Sequence, residues 1–147
     1  MMDAAAIQEV LPHRFPFLLV DRITEIEEGR RAVGLKAVSL TDVYLQGHFP
    51  GFPVMPGVLI VEAIAQVGGV ALLSDPRYRG RQPFLTGIDN FRFRRQVVPG
   101  DLLQMEVILT AMRSSFGKGH GIALVGDELA AEGDVLFAIG DRTGDGR

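Results

Sequence analysis

The sequence predicts an α+β chain in which an antiparallel β-sheet wraps one long central α-helix. Three observations carry that prediction. Between Pro53 and Leu73 the chain is almost continuously apolar, with Glu62 its only ionisable side chain. A helix that is apolar on nearly every side has to be enclosed by something. Two strand-like segments precede it and four follow it, enough for five or six antiparallel strands to curl around it.

In chain order, a short amphipathic helix is predicted at Ala4–Val10, closed by Pro12. Two β-segments follow, Phe17–Glu25 and Arg31–Ser39, joined by a turn at Glu27-Glu28-Gly29. The loop Thr41–Met55 holds Pro50, Gly51 and Pro53, and with Pro56 these prolines stiffen the approach to the helix. That helix should begin at Pro56, where the missing N–H is no loss, and run to about Leu73 before Asp75-Pro76. Strands are then predicted at Phe84–Arg94, Leu102–Met112, Gly117–Val125 and Leu129–Ile139. Turns are signalled at Pro99-Gly100-Asp101, Ser114-Ser115 and Gly126-Asp127. The polar tail GDRTGDGR is expected to fray. Gly68 and Gly69 would allow a close backbone approach, including one from a second copy of the chain.

With 147 residues and neither an internal repeat nor an interdomain linker, residues 1–147 are expected to form a single domain. A formal charge of −3 and a pI near 5.6 argue against a general nucleic-acid binder. The absence of cysteine removes disulfides, thiolate metal ligands and a Cys nucleophile, and suits a cytoplasmic location. The N-terminal residues lack the pattern of a secretory signal. Proline, glycine, Glu62 and Gln66 interrupt the apolar run, so it reads as an enclosed helix, with no membrane partner expected.

Three features converge on residues 47–66. His48 sits in the stiffened loop, and a neutral imidazole is the usual protein base near neutral pH. Taken singly, a loop histidine with a structural hydrogen bond is the plainer reading. Glu62 lies one and a half to two turns into the helix. An apolar setting would favour its acid form and suit a general acid, and a helix edge facing water is an even alternative. Gln66, four residues on, shares its face and can hold its carboxyl, or equally stand as a helix residue at the core's edge. The helix start offers no Ser, Thr, Asp or Asn cap, so its first N–H groups are available. Gly57 would let an external carbonyl come close to them, unless a loop carbonyl or water fills the role. A base, an acid and an oxyanion donor together are what removing a proton beside a carbonyl and expelling a β-hydroxyl requires.

The stretch GHFPGFPVMPGVLIVEAIAQ (47–66) resembles the signature of the short 3-hydroxyacyl-acyl carrier protein dehydratases of bacterial type II fatty-acid synthesis. LPHRFPFLLVDR (11–22) and GIDNFRFRRQVVPGD (87–101) resemble that family's two other diagnostic blocks, in the same order. GKGHGIALVGDELAAEGDVLFAI resembles its closing strands, so the likeness spans nearly the whole chain. Asn90-Phe91 and Gly119-His120 depart from the pattern, away from the reacting groups.

The resemblance implies a hot-dog fold and a homodimer with two sites at the subunit interface, commonly assembled into a hexamer. It implies His48 as catalytic histidine, Glu62 as the carboxylate supplied by the partner subunit, and Gly57 as backbone donor to the thioester carbonyl. Glu rather than Asp at position 62 favours dehydration without double-bond isomerisation. Acyl carrier protein is the implied partner, and neither cofactor nor metal is expected.

His13 and His120, the latter placed in a Gly-rich turn, read as structural or exposed. Phe15, Phe17, Phe84, Phe91 and Phe93 read as core or tunnel-wall residues. For Phe84, core packing is expected over a gating role. Arg77, Arg79, Arg81, Arg92, Arg94 and Arg95 form either a docking patch for an acidic carrier protein or a solvated surface with local ion pairs. A hot-dog thioesterase and a non-catalytic acyl-binding module stand as rivals to the dehydratase.

Overall fold

The computed structural model describes residues 1–142. Helix α1 spans Ala4–Val10 and helix α2 spans Gly57–Leu73. The strands are β1 (Arg22–Glu27), β2 (Arg31–Ala37), β3 (Arg81–Phe93), β4 (Leu102–Arg113), β5 (Phe116–Val125) and β6 (Glu128–Arg142). A 3-10 turn at Val43–Gln46, which the sequence reading did not separate from its loop, precedes His48.

The six strands form one antiparallel sheet in the order β1-β2-β4-β5-β6-β3, and α2 lies against it. Alternation decides which face meets the helix. Leu103, Met105 and Val107 on β4 are buried, whereas Leu102, Gln104 and Ile108 point outward. Buried Ala32 of β2, Ala123 of β5 and Ala131 and Val135 of β6 extend the inner surface. Ile60, Ala63, Ile64, Val67, Val70 and Ala71 of α2 belong to the same core. Ile7, Leu11, Leu19, Val20, Leu45, Met55 and Val97 close over it from the loops and α1. The continuous apolar character of α2 thus follows from burial on several sides. The sheet also meets the helix closely at Gly121, where a Cβ would collide with Ile64.

Helix α1 has the expected bounds, with Asp3 capping it by accepting the Ala6 N–H at 2.9 Å. Several expectations need correction. Residues 17–21 are not part of β1, because their main chain is bonded to Gln66 of α2. Strand β2 ends at Ala37, where the Ser39 N–H turns to Asp42. Helix α2 starts at Gly57, and Pro56 is its extended cap residue. The space at Gly68 and Gly69 is met by Val107 and Leu11 of the same chain, each 3.1 Å from where a Cβ would stand. Of the tail, residues 140–142 continue β6, and Arg81 Nε donates to the Gly140 carbonyl. The rest of that tail lies outside the described residues. No helix among the described residues is long and apolar enough to cross a membrane.

Candidate active site

A largely apolar groove runs along α2 between the helix, the inner sheet face and the start of β3. Ala65, Gly68, Gly69 and Leu72 form its helix side, and Phe84, Leu85, Leu109, Val135 and Phe137 form its sheet side. Glu62, Gln66 and His13 supply its polar groups. The Glu62 side chain is 18% exposed, so it neither points freely into water nor disappears into the core.

Gln66 holds Glu62 in place, which is the first of the two roles its spacing of four residues allowed. Its Nε2 donates to Glu62 Oε1 at 2.9 Å. The same amide bonds the chain entering β1: Nε2 also donates to the Phe17 carbonyl, and Oε1 accepts the Leu19 N–H, both at 2.7 Å. Only 1% of Gln66 is exposed, so a buried polar side chain has its hydrogen-bonding capacity largely used.

His13 also reaches the groove, with Nε2 3.5 Å from Glu62 Oε1. The sequence reading set this histidine aside. The signal was the LPHRFPF block itself, but nothing local in it reveals a partner 49 residues away.

His48 lies in the loop ahead of α2, half-buried. Val54 N–H donates to the His48 carbonyl, and the His48 ring returns a bond from Nδ1 to the Val54 carbonyl, each at 2.8 Å. A carbonyl only accepts, so Nδ1 carries the hydrogen and Nε2 of the neutral ring is left with its lone pair. Further support comes from the Lys36–Asp42–Tyr44 cluster at the 3-10 turn. Asp42 Oδ2 accepts from Lys36 Nζ at 3.1 Å, Tyr44 OH at 2.9 Å and Ser39 N–H at 3.0 Å. Burial pushes the Asp42 carboxyl up, but the Ser39 amide, Lys36 and Tyr44 together hold it below its ordinary value.

At the helix entrance no side chain caps α2, as predicted, and the first backbone bonds are those of Leu59 and Ile60 to the Pro56 carbonyl. The Gly57 N–H has no acceptor among the described residues. A Cβ on Gly57 would stand 2.9 Å from Phe93 Cε1, so glycine is required for the ring of β3 to pack there. Within this chain, then, Glu62, Gln66 and His13 share the groove, and neither His48 nor Gly57 lines it.

The aromatic residues divide. Phe91 packs on the core, whereas Phe15, Phe17 and Phe93 are exposed in a single protomer. Phe84 is 45% exposed and lines the groove, which corrects the expectation of core packing. The arginines divide too. Arg77 pairs with Asp75, and Arg95 with Asp101 and Glu128. Arg79, Arg92 and Arg94 are exposed without a carboxylate partner among the described residues. His120 lies in β5 rather than in a turn, because Gly117, Gly119 and Gly121 occupy strand positions crowded by Phe137, Val107 and Ile64. Its Nδ1 meets Asp134 at 2.8 Å and its Nε2 meets Glu132 at 3.0 Å.

An antiparallel sheet around one buried helix, with an acid-bearing groove beside it, is the hot-dog architecture. The dehydratase heterocomplex ApeI:P from Xenorhabdus doucetiae shares it, with a TM-score of 0.72 over 93% of this chain and 92% of that one at 19% identity. The family model described as a FabA-like domain matches residues 11–134. The 3-hydroxyacyl-[acyl-carrier-protein] dehydratase FabZ of Moorella thermoacetica is 61% identical over 96% of this chain and 99% of its own length. The protein of that name from Pelotomaculum thermopropionicum is 60% identical over 95% of this chain and 99% of its own. The chain belongs to the FabA-like family and, within it, to the 3-hydroxyacyl-[acyl-carrier-protein] dehydratases, as its three sequence blocks indicated.

Proposed function

We propose that the chain removes water from (3R)-3-hydroxyacyl groups carried on acyl carrier protein, giving the trans-2-enoyl thioester in fatty-acid elongation. His48 Nε2 takes the C2 proton while the Gly57 N–H steadies the developing enolate-like oxygen. The C3–O bond breaks as Glu62 hands its proton to the departing hydroxyl, which leaves as water. Exchange with solvent then returns a proton to Glu62 and removes one from His48. Glu62 in place of Asp favours this reaction without isomerisation. One observation carries the reading: the Val54 carbonyl occupies His48 Nδ1 and leaves Nε2 free to accept a proton.

The His48 of one protomer meets the Glu62 of another in this proposal, in a homodimer that associates further to a hexamer. The outer edge of β3 supports the pairing. Among the described residues β3 is the last strand of the sheet, beside β6, and exposes Phe84, Leu85, Ile88 and Phe93. A long apolar edge of this kind is a template for a second chain.

The test is complementation between inactive subunits. His48→Ala and Glu62→Ala each lower turnover by roughly 100-fold or more. Mixing the two after subunit exchange restores activity, because some heterodimers hold one intact site. Two near-wild-type single variants, or no recovery on mixing, would reject the shared site. Following enoyl absorbance together with free thiol separates dehydration from thioester hydrolysis.

A further inference from the structure

The two contacts made to the Glu62 carboxyl fall on one oxygen. Gln66 Nε2 donates to Oε1 at 2.9 Å and His13 Nε2 stands 3.5 Å from the same atom. Oε2 has no hydrogen-bond partner among the described residues. A protonated carboxyl is asymmetric, with one oxygen carrying the proton and the other a stronger acceptor. The Gln66 hydrogen bond, with the His13 ring nearest the same atom, favours Oε1 as the carbonyl oxygen and Oε2 as the carrier of an acidic proton.

The tautomer of His13 follows from its other nitrogen. Nδ1 is buried and has no partner among the described residues. A buried N–H without an acceptor is the more costly orphan, so the site suits the tautomer with hydrogen on Nε2. Nε2 is the ring nitrogen 3.5 Å from Glu62 Oε1.

The main chain bearing His13 is braced without help from Glu62. Arg14 donates to the carbonyls of Leu11, His13 and Gln8 at 2.8, 2.7 and 2.9 Å. On the other side Gln66 bonds Phe17 and Leu19. The imidazole is thus presented to the carboxyl from a fixed segment. Contacts of this length in substrate-free sites commonly tighten when the reactant binds.

We propose that His13 is a positioning residue. With Gln66 it fixes the Glu62 carboxyl so that Oε2 is the oxygen that protonates the departing 3-hydroxyl. This rests on the reading of Glu62 as general acid. As the proton leaves Oε2 and the C3–O bond breaks, charge grows on the carboxylate, and both N–H groups hold it more strongly.

Three His13 variants test the proposal on two substrates. His13→Leu removes the donor, His13→Asn keeps polarity near Nδ1 but cannot reach Glu62, and His13→Gln keeps an N–H at about the reach of Nε2. The substrates are a 3-hydroxyacyl thioester and its 3-chloro analogue, in which the base takes the C2 proton and chloride departs without a proton. On the hydroxy substrate, His13→Leu and His13→Asn lower kcat about 10- to 100-fold with KM within about twofold, and His13→Gln recovers most of it. On the chloro substrate all three stay within about threefold of wild type. Normal kcat in His13→Leu or His13→Asn, equal losses on both substrates, or no rescue by Gln overturns the role of His13. Near-wild-type dehydration by Glu62→Ala removes the reading of Glu62 itself, a separate outcome.

Discussion

Gln66 stands one helical turn beyond Glu62 and donates to its Oε1 at 2.9 Å, while the same amide bonds the main chain of Phe17 and Leu19. A residue that orients the acid is thus also the joint between α2 and the chain leading into β1.

Gln66→Leu leaves the Leu19 N–H and the Phe17 carbonyl without partners and frees the carboxyl. Orphaning the buried Leu19 N–H and the part-buried Phe17 carbonyl costs about 2–4 kcal/mol, read as a lower urea midpoint with an unchanged slope. Turnover falls as well. Gln66→Glu is no remedy, because an ionised carboxylate cannot donate to the Phe17 carbonyl or to Glu62.

Gly57→Ala puts a methyl group 2.9 Å from Phe93 Cε1. Overpacking of this kind costs about 1–3 kcal/mol unless the ring moves. Truncating the ring with Phe93→Ala in the same chain relieves the collision. Urea unfolding of Gly57→Ala and of the double variant is therefore expected to show the second loss smaller than the sum of the two single changes.

The pH dependence of stability has a visible contributor in His120. Hydrogen bonding to Asp134 raises the imidazole above its ordinary value, Glu132 adds to this, and burial opposes it. The bond from His120 holds Asp134 below its ordinary value in turn. A raised imidazole stabilises the fold fully below the unfolded value of 6.5, and loses that effect as pH rises through the folded one. A lowered carboxyl works above 3.8 and fails as pH falls through its folded value. His120→Gln therefore loses more stability relative to wild type at about pH 5.5 than at about pH 9. Partial exposure and salt keep the effect small.

Charge reversal at Arg79, Arg92 and Arg94 tests docking of a carrier protein. These three are exposed without carboxylate partners among the described residues, whereas Arg77 and Arg95 are engaged in ion pairs. The triple Glu variant is expected to react about tenfold or more slowly with acyl carrier protein at low salt, and normally with small thioesters. Equal loss on both substrates would remove the steering role.

The sequence exposed what repeats locally. The apolar run of α2, the alternation along β4 and the glycine-marked turns all placed their elements within a few residues. The four-residue spacing from Glu62 to Gln66 offered their bond as one of two readings. Contacts made at a distance were not legible. Phe17–Asp21 has the apolar run of a strand, but the amide of Gln66 takes main-chain groups of Phe17 and Leu19. His13 looks like any loop histidine until the fold brings it to Glu62. Phe84 has the composition of a core residue, yet it sits on an edge strand where one side is open.

The place of β3 at the end of the sheet bears on how concentration would affect the enzyme. If catalysis needs two chains meeting along that edge, specific activity falls on dilution below the dissociation constant of the pair, although every subunit stays folded. A short peptide or a single charge lodged there would then inhibit without entering the groove.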